Sequence, residues 1–532
     1  MTQHAAPGRL PAALVLLGGL LATVIVYWLY DPRVLSNDGI QYVSGARGLL
    51  EYGTYTTPVL VYDNHFWTGQ VPAPQTAFPP GYPLLIAAVG LLLGFPLHVA
   101  AVIVSWAAML SVAALLYRRV GGWAGALAGV AWMLNGQGLC VLSVVGSDLI
   151  FTALTLLTMD RLARGLEPEG RRRDLWVAGL CMAMALSTRF AGVFLLPIFG
   201  LYLGVRFLQT RTRARFMEAV ATLLPGTLAT VALLTRNKLL VGDFDGGAFD
   251  AFVRPWSEVV DQFRYAGETL LGIPATNTTL CVLQVVLLGG AVAVLVWRRP
   301  RGSAAWRSHL WPGVTDRFLR ICLLFVPLYL GVFLYLAHTR NSIILFPRYL
   351  VPAIPPMLAL GVSAVRPWLK DVTQTTVKRT LLPAVLGVVY LLGQWSLWPE
   401  MYEMYFTRNA VREAEAALDG PAPGGGSLRE AILKRLPPEA ALLAQPAHPF
   451  AWVLDHPTLG PLGAQLSADR WDEPHVHALV QRFEIDWAIS QRGLNLEVDP
   501  PAFWTEVDAG HRPAWLVPDI ETPDVTLYRV LR

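Results

Sequence analysis

Runs of about twenty apolar residues recur along the first 400 positions of this chain, and no water-soluble fold accommodates that pattern. They fall at 10–30, 97–117, 121–138, 147–164, 174–187, 190–206, 216–236, 279–297, 319–338, 346–365 and 380–398. A helix of about twenty residues is about 30 Å long, the thickness of the hydrocarbon layer of a bilayer. Composition agrees: 54% of the 532 residues are hydrophobic and 15% charged, where a soluble domain carries about a quarter charged. The expectation is a mainly α-helical polytopic membrane protein with about eleven transmembrane helices. The run 10–30 follows Arg9 and is not followed by a small-residue cleavage site, so it reads as a retained first helix rather than a cleaved signal peptide. A shorter run, 82–95, is bracketed by Pro79, Pro80, Gly94 and Pro96. It is too short for a span and reads as a re-entrant or interfacial helix.

Arginine placement orients the chain. The clusters at 118–119, 161–173, 206–215, 298–307 and 366–379 belong on the cytoplasmic side by the positive-inside rule. That leaves 31–81, 237–277 and everything after 398 outside. The second of these holds Phe252, Trp256, Val259 and Phe263 at helical spacing, the pattern of a helix lying in the membrane interface. The net charge of +4 is accounted for by these clusters, as topology and solvated loop charge, and no nucleic-acid surface is expected. Four cysteines without CxxC spacing predict neither a zinc site nor a disulfide framework.

After Trp398 the composition changes. Pro421-Ala-Pro-Gly-Gly-Gly-Ser427 marks 401–427 as a linker between a transmembrane domain, 1–400, and a small extracytoplasmic α/β domain, 428–532. In the latter, β-rich runs at 440–445, 450–455, 485–490, 514–518 and 526–531 alternate with a helical stretch at 473–484.

Chemistry-bearing residues gather in the outer segments. Asp38 directly follows the first span, and Gln41 and Tyr42 share a helical face with it. Asp38 is either a general base for a hydroxyl or the amino-terminal cap of its helix. The loop beyond carries Tyr62, Asp63, His65 and Trp67, then Phe78-Pro-Pro-Gly-Tyr82, whose prolines suggest a shaped pocket wall. Arg348 stands at the outer start of a span, with His338 and Arg340 just upstream and Tyr349 beside it. Such an arginine either grips phosphate in a fork or snorkels to the interface. Arg189 interrupts the apolar stretch 174–206; it faces a cavity or pairs with a buried acid, for which Asp148 is available. Asp148 follows Ser147 at a helix start, where the helix dipole favours a carboxylate without any further role. Asp243-Phe-Asp245 resembles a metal-binding pair of acids, yet in a glycine-rich loop it reads as a turn, and no metal is carried over from it.

The order of these motifs resembles the membrane glycosyltransferases of the GT-C fold class, specifically bacterial relatives of the protein mannosyltransferase and lipid A aminoarabinose transferase families. The matching residues are Asn37-Asp-Gly-Ile-Gln-Tyr42, Leu49-Leu-Glu-Tyr-Gly53, Pro79-Pro-Gly-Tyr-Pro-Leu-Leu85, Gly146-Ser-Asp-Leu-Ile-Phe151, Leu186-Ser-Thr-Arg-Phe-Ala-Gly192 and Phe346-Pro-Arg-Tyr-Leu-Val-Pro-Ala-Ile-Pro-Pro356, over about the first 400 positions. Many relatives carry Asp-Glu in the first loop, where this chain has Asp38-Gly39.

The resemblance implies inverting transfer of a hexose or pentose from a polyprenyl-phosphate carrier to a hydroxyl on a glycan, lipid or protein, at the outer face of a bacterial inner membrane. It implies Asp38 as the base, or as the group that orients the acceptor, and Asp148 as a second acid facing the cavity. Gln41, Tyr42, Asp63, Tyr82, Arg189, His338, Arg340, Arg348 and Tyr349 are then candidate substrate contacts. No cofactor is called for, and a divalent cation is left open. Two other classes fit the composition: a transporter or lipid-linked sugar flippase, and a non-catalytic assembly partner. The lack of matching hydropathy halves speaks against the transporter.

Overall fold

The apolar runs end where the sequence supplies glycine or charge. The Leu97–Val120 helix closes on Arg118 and Arg119 and stops at Gly121, and the Gly81–Leu93 helix stops at Gly94, both glycines at positive φ. The computed structural model describes residues 9–29, 31, 35–61, 65–66, 68–244, 253–271, 316–339, 347–371, 390, 392–394, 398, 409–460, 471–492 and 502–531. Among them, five helices are long and apolar enough to cross a membrane: Leu10–Leu29, Leu97–Val120, Phe190–Thr210, Arg213–Val241 and Arg317–Thr339. A sixth crossing results if Gly122–Met133 and Gly136–Ser143, bent by 48° at their junction, act as one. The Asp148–Gly165 and Arg172–Thr188 helices occupy two further expected spans. They carry Asp148, Asp160, Arg161, Arg164 and Asp174, which form ion pairs. The run 279–297 and most of 380–398 lie outside the described residues.

These helices pack around one apolar core that includes Trp132, Phe151, Phe199 and Phe325 at full burial. The outer faces stay apolar: Leu16, Leu20, Tyr27 and Trp28 of the first helix are 62–87% exposed. Side chains of that kind in that density need lipid around them. At one end of the bundle Asp160, only 1% exposed, is ringed by Arg119, Arg161 and Arg164, and Arg161 reaches Asp174 at 3.0 Å.

The other end carries the irregular and β structure. Ser36 caps the Asn37–Glu51 helix, its Oγ accepting from the Gly39 amide at 2.9 Å and donating to the Val144 carbonyl at 3.0 Å. The cap is therefore Ser36, and Asp38 is released from that duty. After this helix β1 (Thr56–Thr57) pairs antiparallel with β3 (Ala73–Pro74).

The remaining strands are β2 (Val59–Leu60), β4 (Leu442–Gln445), β5 (Thr458–Leu459), β6 (Trp487–Gln491), β7 (Leu516–Glu521) and β8 (Val525–Val530). They form one sheet in the order β2-β5-β4-β6-β8-β7, parallel from β2 to β6 and antiparallel thereafter. Helix Ala447–Leu454 covers one face and helices Glu473–Arg482 and Ala502–Asp508 the other. The carboxy-terminal segment thus takes an edge strand from the first loop and shares a core with it: Ile40, Val43 and Ile86 cluster with Leu442, Phe450 and Leu527.

Two expectations for this region change. Residues 450–455 were expected as a strand; 447–454 are helical, with Phe450 buried against the sheet. Within the stretch expected as linker, Ala410–Leu418 is a helix capped by Asn409, burying Val411, Ala414 and Leu418. The glycine run after it closes a turn in which the Leu428 amide donates to the Gly420 carbonyl.

Candidate active site at the β-bearing end of the helix bundle

Three chain segments distant in sequence meet beside the Asn37–Glu51 helix. The first is the turn from Gly136–Ser143 into Asp148–Gly165. There Val145, fully buried and β-branched, takes a left-handed φ of 62°, a strained placement that surrounding contacts must hold. Gly146 follows; a Cβ there would meet Asp148 Oδ2 at 3.0 Å, so glycine leaves space for the carboxylate. The second is the break after Arg172–Thr188. Gly192 packs so closely that a Cβ would stand 2.4 Å from Leu186 Cα, and this tight turn presents Arg189. The third is the 3-10 helix Pro347–Ala353, which carries Arg348 and Tyr349.

Two acid–arginine pairs result. Arg348 Nη1 lies 2.9 Å from Asp38 Oδ2, with the side chains 19% and 20% exposed. Arg189 Nη1 lies 2.8 Å from Asp148 Oδ1, with the side chains 12% and 1% exposed. Both guanidinium groups stand over the Tyr349 ring, Arg348 at 5.3 Å and Arg189 at 5.4 Å from its centroid, within cation–π range. Tyr349 is held from below: Tyr329 donates to its carbonyl at 3.0 Å, and its ring stacks on Phe333 at 5.7 Å. The Tyr349 ring is what the two pairs share, while Ser147 ties the second pair to the Asn37–Glu51 helix, its Oγ 3.3 Å from Arg189 Nη1 and 2.7 Å from the Tyr42 hydroxyl. Asp38, Asp148, Arg189, Arg348 and Tyr349 are thereby brought into one constellation. The Asp38–Arg348 pair is its reachable part and the Asp148–Arg189 pair its sealed part.

Other expected contacts have different surroundings. Tyr42 is 2% exposed, edge-on to Phe78 and Tyr82 at 5.0 Å each, and burial raises its phenol pKa above the ordinary tyrosine range. Tyr82 is fully buried, bonded to Ser105 Oγ at 2.8 Å and the Ala101 carbonyl at 3.1 Å. These two tyrosines form the wall behind the site rather than its open surface. Gln41 is fully buried in a network described below. His338 clamps the segment before helix Trp256–Leu271: its Nδ1 donates to the Arg254 carbonyl at 2.6 Å, and its ring stacks on Trp256 at 4.2 Å. Asp63 and Arg340 lie outside the described residues. Gly39 has a local cause: a Cβ there would meet the Val144 carbonyl oxygen at 2.7 Å.

Sequence reasoning missed Ser147 as a bridge, although it sits inside the Gly146-Ser-Asp148 motif. It missed His448, which lies 407 positions from the glutamine it touches and carries no local signal.

Among the described residues no three carboxylate, imidazole or thiol groups gather around one point. Each acid of the site instead faces a guanidinium, which would repel a metal ion.

The fold is that of the GT-C glycosyltransferases. It is similar along almost its whole length to ArnT from Cupriavidus metallidurans in the apo state. That match has 16% identity over 97% of this chain and 98% of that one, with a TM-score of 0.58. The same enzyme bound to undecaprenyl phosphate matches at 14% identity over 97% of each chain, again with a TM-score of 0.58. The apo Archaeoglobus fulgidus oligosaccharyltransferase matches at 12% identity over 90% of this chain and 69% of that one, TM-score 0.55. Arabinofuranosyltransferase AftD from Mycobacteria matches at 14% over 99% of this chain and 40% of that one, TM-score 0.53. No family model matches the sequence, and no curated protein is similar to it by sequence.

Proposed function

We propose that this chain is a membrane glycosyltransferase that moves a sugar from a polyprenyl-phosphate carrier to a hydroxyl acceptor at the outer face of a bacterial inner membrane. The observation that carries this reading is the reachable Asp38–Arg348 pair, set beside a sealed second pair on a GT-C scaffold. Its fold neighbour ArnT binds undecaprenyl phosphate, which supports a lipid phosphate as the donor's handle.

The chemistry follows from the pair. Asp38 takes the proton of the acceptor hydroxyl, whose oxygen attacks the anomeric carbon from the face opposite the phosphate. The bond from that carbon to the phosphate oxygen breaks, the configuration inverts, and the electron pair leaves on the phosphate. Arg348 receives that charge through its planar fork. Asp148, sealed at 1% exposure, acts by holding Arg189 over the Tyr349 ring, and Arg189 adds positive potential where the phosphate develops charge. Without lipid, Arg348 occupies Asp38. A phosphate offers the guanidinium more negative charge than one carboxylate does, so an arriving donor draws Arg348 away and frees the base. The donor therefore binds before the acceptor.

The test is binding of undecaprenyl phosphate to purified protein in lipid nanodiscs. Arg348→Ala is expected to weaken it at least about tenfold and Arg348→Lys less, since lysine keeps the charge but loses the fork. Equal binding by all three proteins would contradict the reading. A flippase would bind the lipid without ever transferring its sugar.

A further inference from the structure

We infer that His448, in the carboxy-terminal sheet domain, is a positioning residue for Asp38, acting through the buried amide of Gln41. The inference rests on Asp38 being the base and concerns how that base is held.

The bonds of this network fix every orientation in turn. The backbone amide of Ala77 can only donate, and it lies 3.1 Å from Gln75 Oε1. That oxygen is thus the acceptor, and Gln75 Nε2 is the group that donates to Gln41 Oε1 at 2.6 Å. Thr57 Oγ1 donates to the same Gln41 oxygen at 3.0 Å. Gln41 Nε2 is then a donor in both its bonds, to the Val59 carbonyl at 3.1 Å and to His448 Nε2 at 3.2 Å. His448 Nε2 must accept, so the ring is neutral with its proton on Nδ1. At the far end, the Val61 amide donates to His65 Nδ1 at 3.4 Å, and His65 Nε2 donates to Gln75 Oε1 at 3.2 Å. The Gln41 amide uses two donor and two acceptor positions, and Gln41, Gln75, Thr57 and His65 are all fully buried. Burial holds the pKa of both histidines near 4, in keeping with neutral rings.

Gln41 stands one helical turn from Asp38 on the same face of the Asn37–Glu51 helix. A side chain locked at four points fixes the rotation of that helix and with it the direction of the Asp38 carboxylate. Other ties between the same two parts run in parallel. Arg47 pairs with Asp455, Asn409 Nδ2 donates to the Leu35 carbonyl at 3.2 Å, and β2 pairs with β5. Asn409 and His448 both act three positions from Asp38, and of the two His448 alone holds a side chain of the helix itself. The sheet domain accordingly sets the aim of the catalytic helix, whatever part it takes in choosing the acceptor.

The experiment compares full-length wild type, His448→Leu and His448→Gln in nanodiscs. Glutamine places an acceptor where Nε2 stood, and leucine of similar size removes it. The readouts are undecaprenyl phosphate binding, hydrogen exchange over residues 37–42, and turnover with whichever undecaprenyl-phosphate sugar and acceptor wild type uses. The leucine variant is expected to bind undecaprenyl phosphate as wild type does, to exchange faster over 37–42, and to lose about tenfold in kcat with KM unchanged. The glutamine variant is expected to restore both exchange and kcat. Turnover by His448→Leu equal to wild type, failure of His448→Gln to restore it, or parallel loss of lipid binding would overturn the inference. If wild type transfers no sugar at all, the proposed function fails on its own. The exchange measurement still decides this inference, and unchanged protection in His448→Leu would sink it.

Discussion

At the residue scale the two ion pairs differ in what removing a partner does. Asp148 and Arg189 are 1% and 12% exposed, so each needs the other to stay charged away from water. Breaking such a pair from one side costs about 3–5 kcal/mol, because the partner is left uncompensated, whereas removing both charges costs less. Arg189→Ala and Asp148→Asn should each lower the thermal midpoint more than the double variant Asp148→Asn with Arg189→Gln does. A thermal melt of the three variants checks this, and midpoints that simply add would contradict it. Four residues of the constellation, Asp38, Asp148, Arg189 and Arg348, could be read in the sequence, since charge beside or inside an apolar run is costly without a purpose. What could not be read was their division of labour. Gln41, Tyr42 and Tyr82 lie beside Asp38 in chain or motif. Only the folded chain shows their polar atoms turned inward to Val59, Ser147 and Ser105.

At the element scale the loop after the first span is the piece least readable in sequence. Its two-residue strands β1, β2 and β3 leave no periodicity, and the partner of β2 is β5, some four hundred positions away. The Phe450–Leu454 run is equally ambiguous: five apolar residues fit a buried strand or a short helix, and packing against the sheet decides. The Ala410–Leu418 helix has its own signal, with Asn409 as cap and Val411, Ala414 and Leu418 on one face, but the proline–glycine run beside it gives a stronger signal for a linker.

This loop and the Ala447–Leu454 helix packed beside it also set an acid limit on the fold. His65 and His448 are buried with pKa values near 4, while unfolded histidine titrates near 6.5. Between these values the unfolded chain binds protons that the folded chain refuses, so stability is full above about pH 6.5 and falls as pH drops toward 4. Each histidine contributes up to about 3 kcal/mol to that fall. His448→Gln should show a smaller drop in thermal midpoint between pH 7.5 and 5.0 than wild type, and an equal drop would contradict the assignment.

At the scale of the whole molecule, the sequence showed a helical membrane protein whose functional groups collect at one end, because hydropathy and arginine placement are long-range signals. It did not show that the carboxy-terminal segment is built into that end, sharing a sheet and a core with the segment that carries Asp38. That joining ties the Asp38 helix to the sheet that covers it. The bundle supplies Asp148, Arg189 and Arg348, and the layer of irregular and β structure holds Asp38 against them.

The central claim is that Asp38 is the base of a sugar transfer. The measurement that tests it most directly is transfer of radiolabelled sugar from a panel of undecaprenyl-phosphate donors to envelope acceptors, by wild type and Asp38→Asn in nanodiscs. The account predicts transfer by wild type and a loss of at least about a hundredfold in Asp38→Asn, with undecaprenyl phosphate binding retained. Full activity in Asp38→Asn, or lipid binding without transfer of any sugar by wild type, would contradict it.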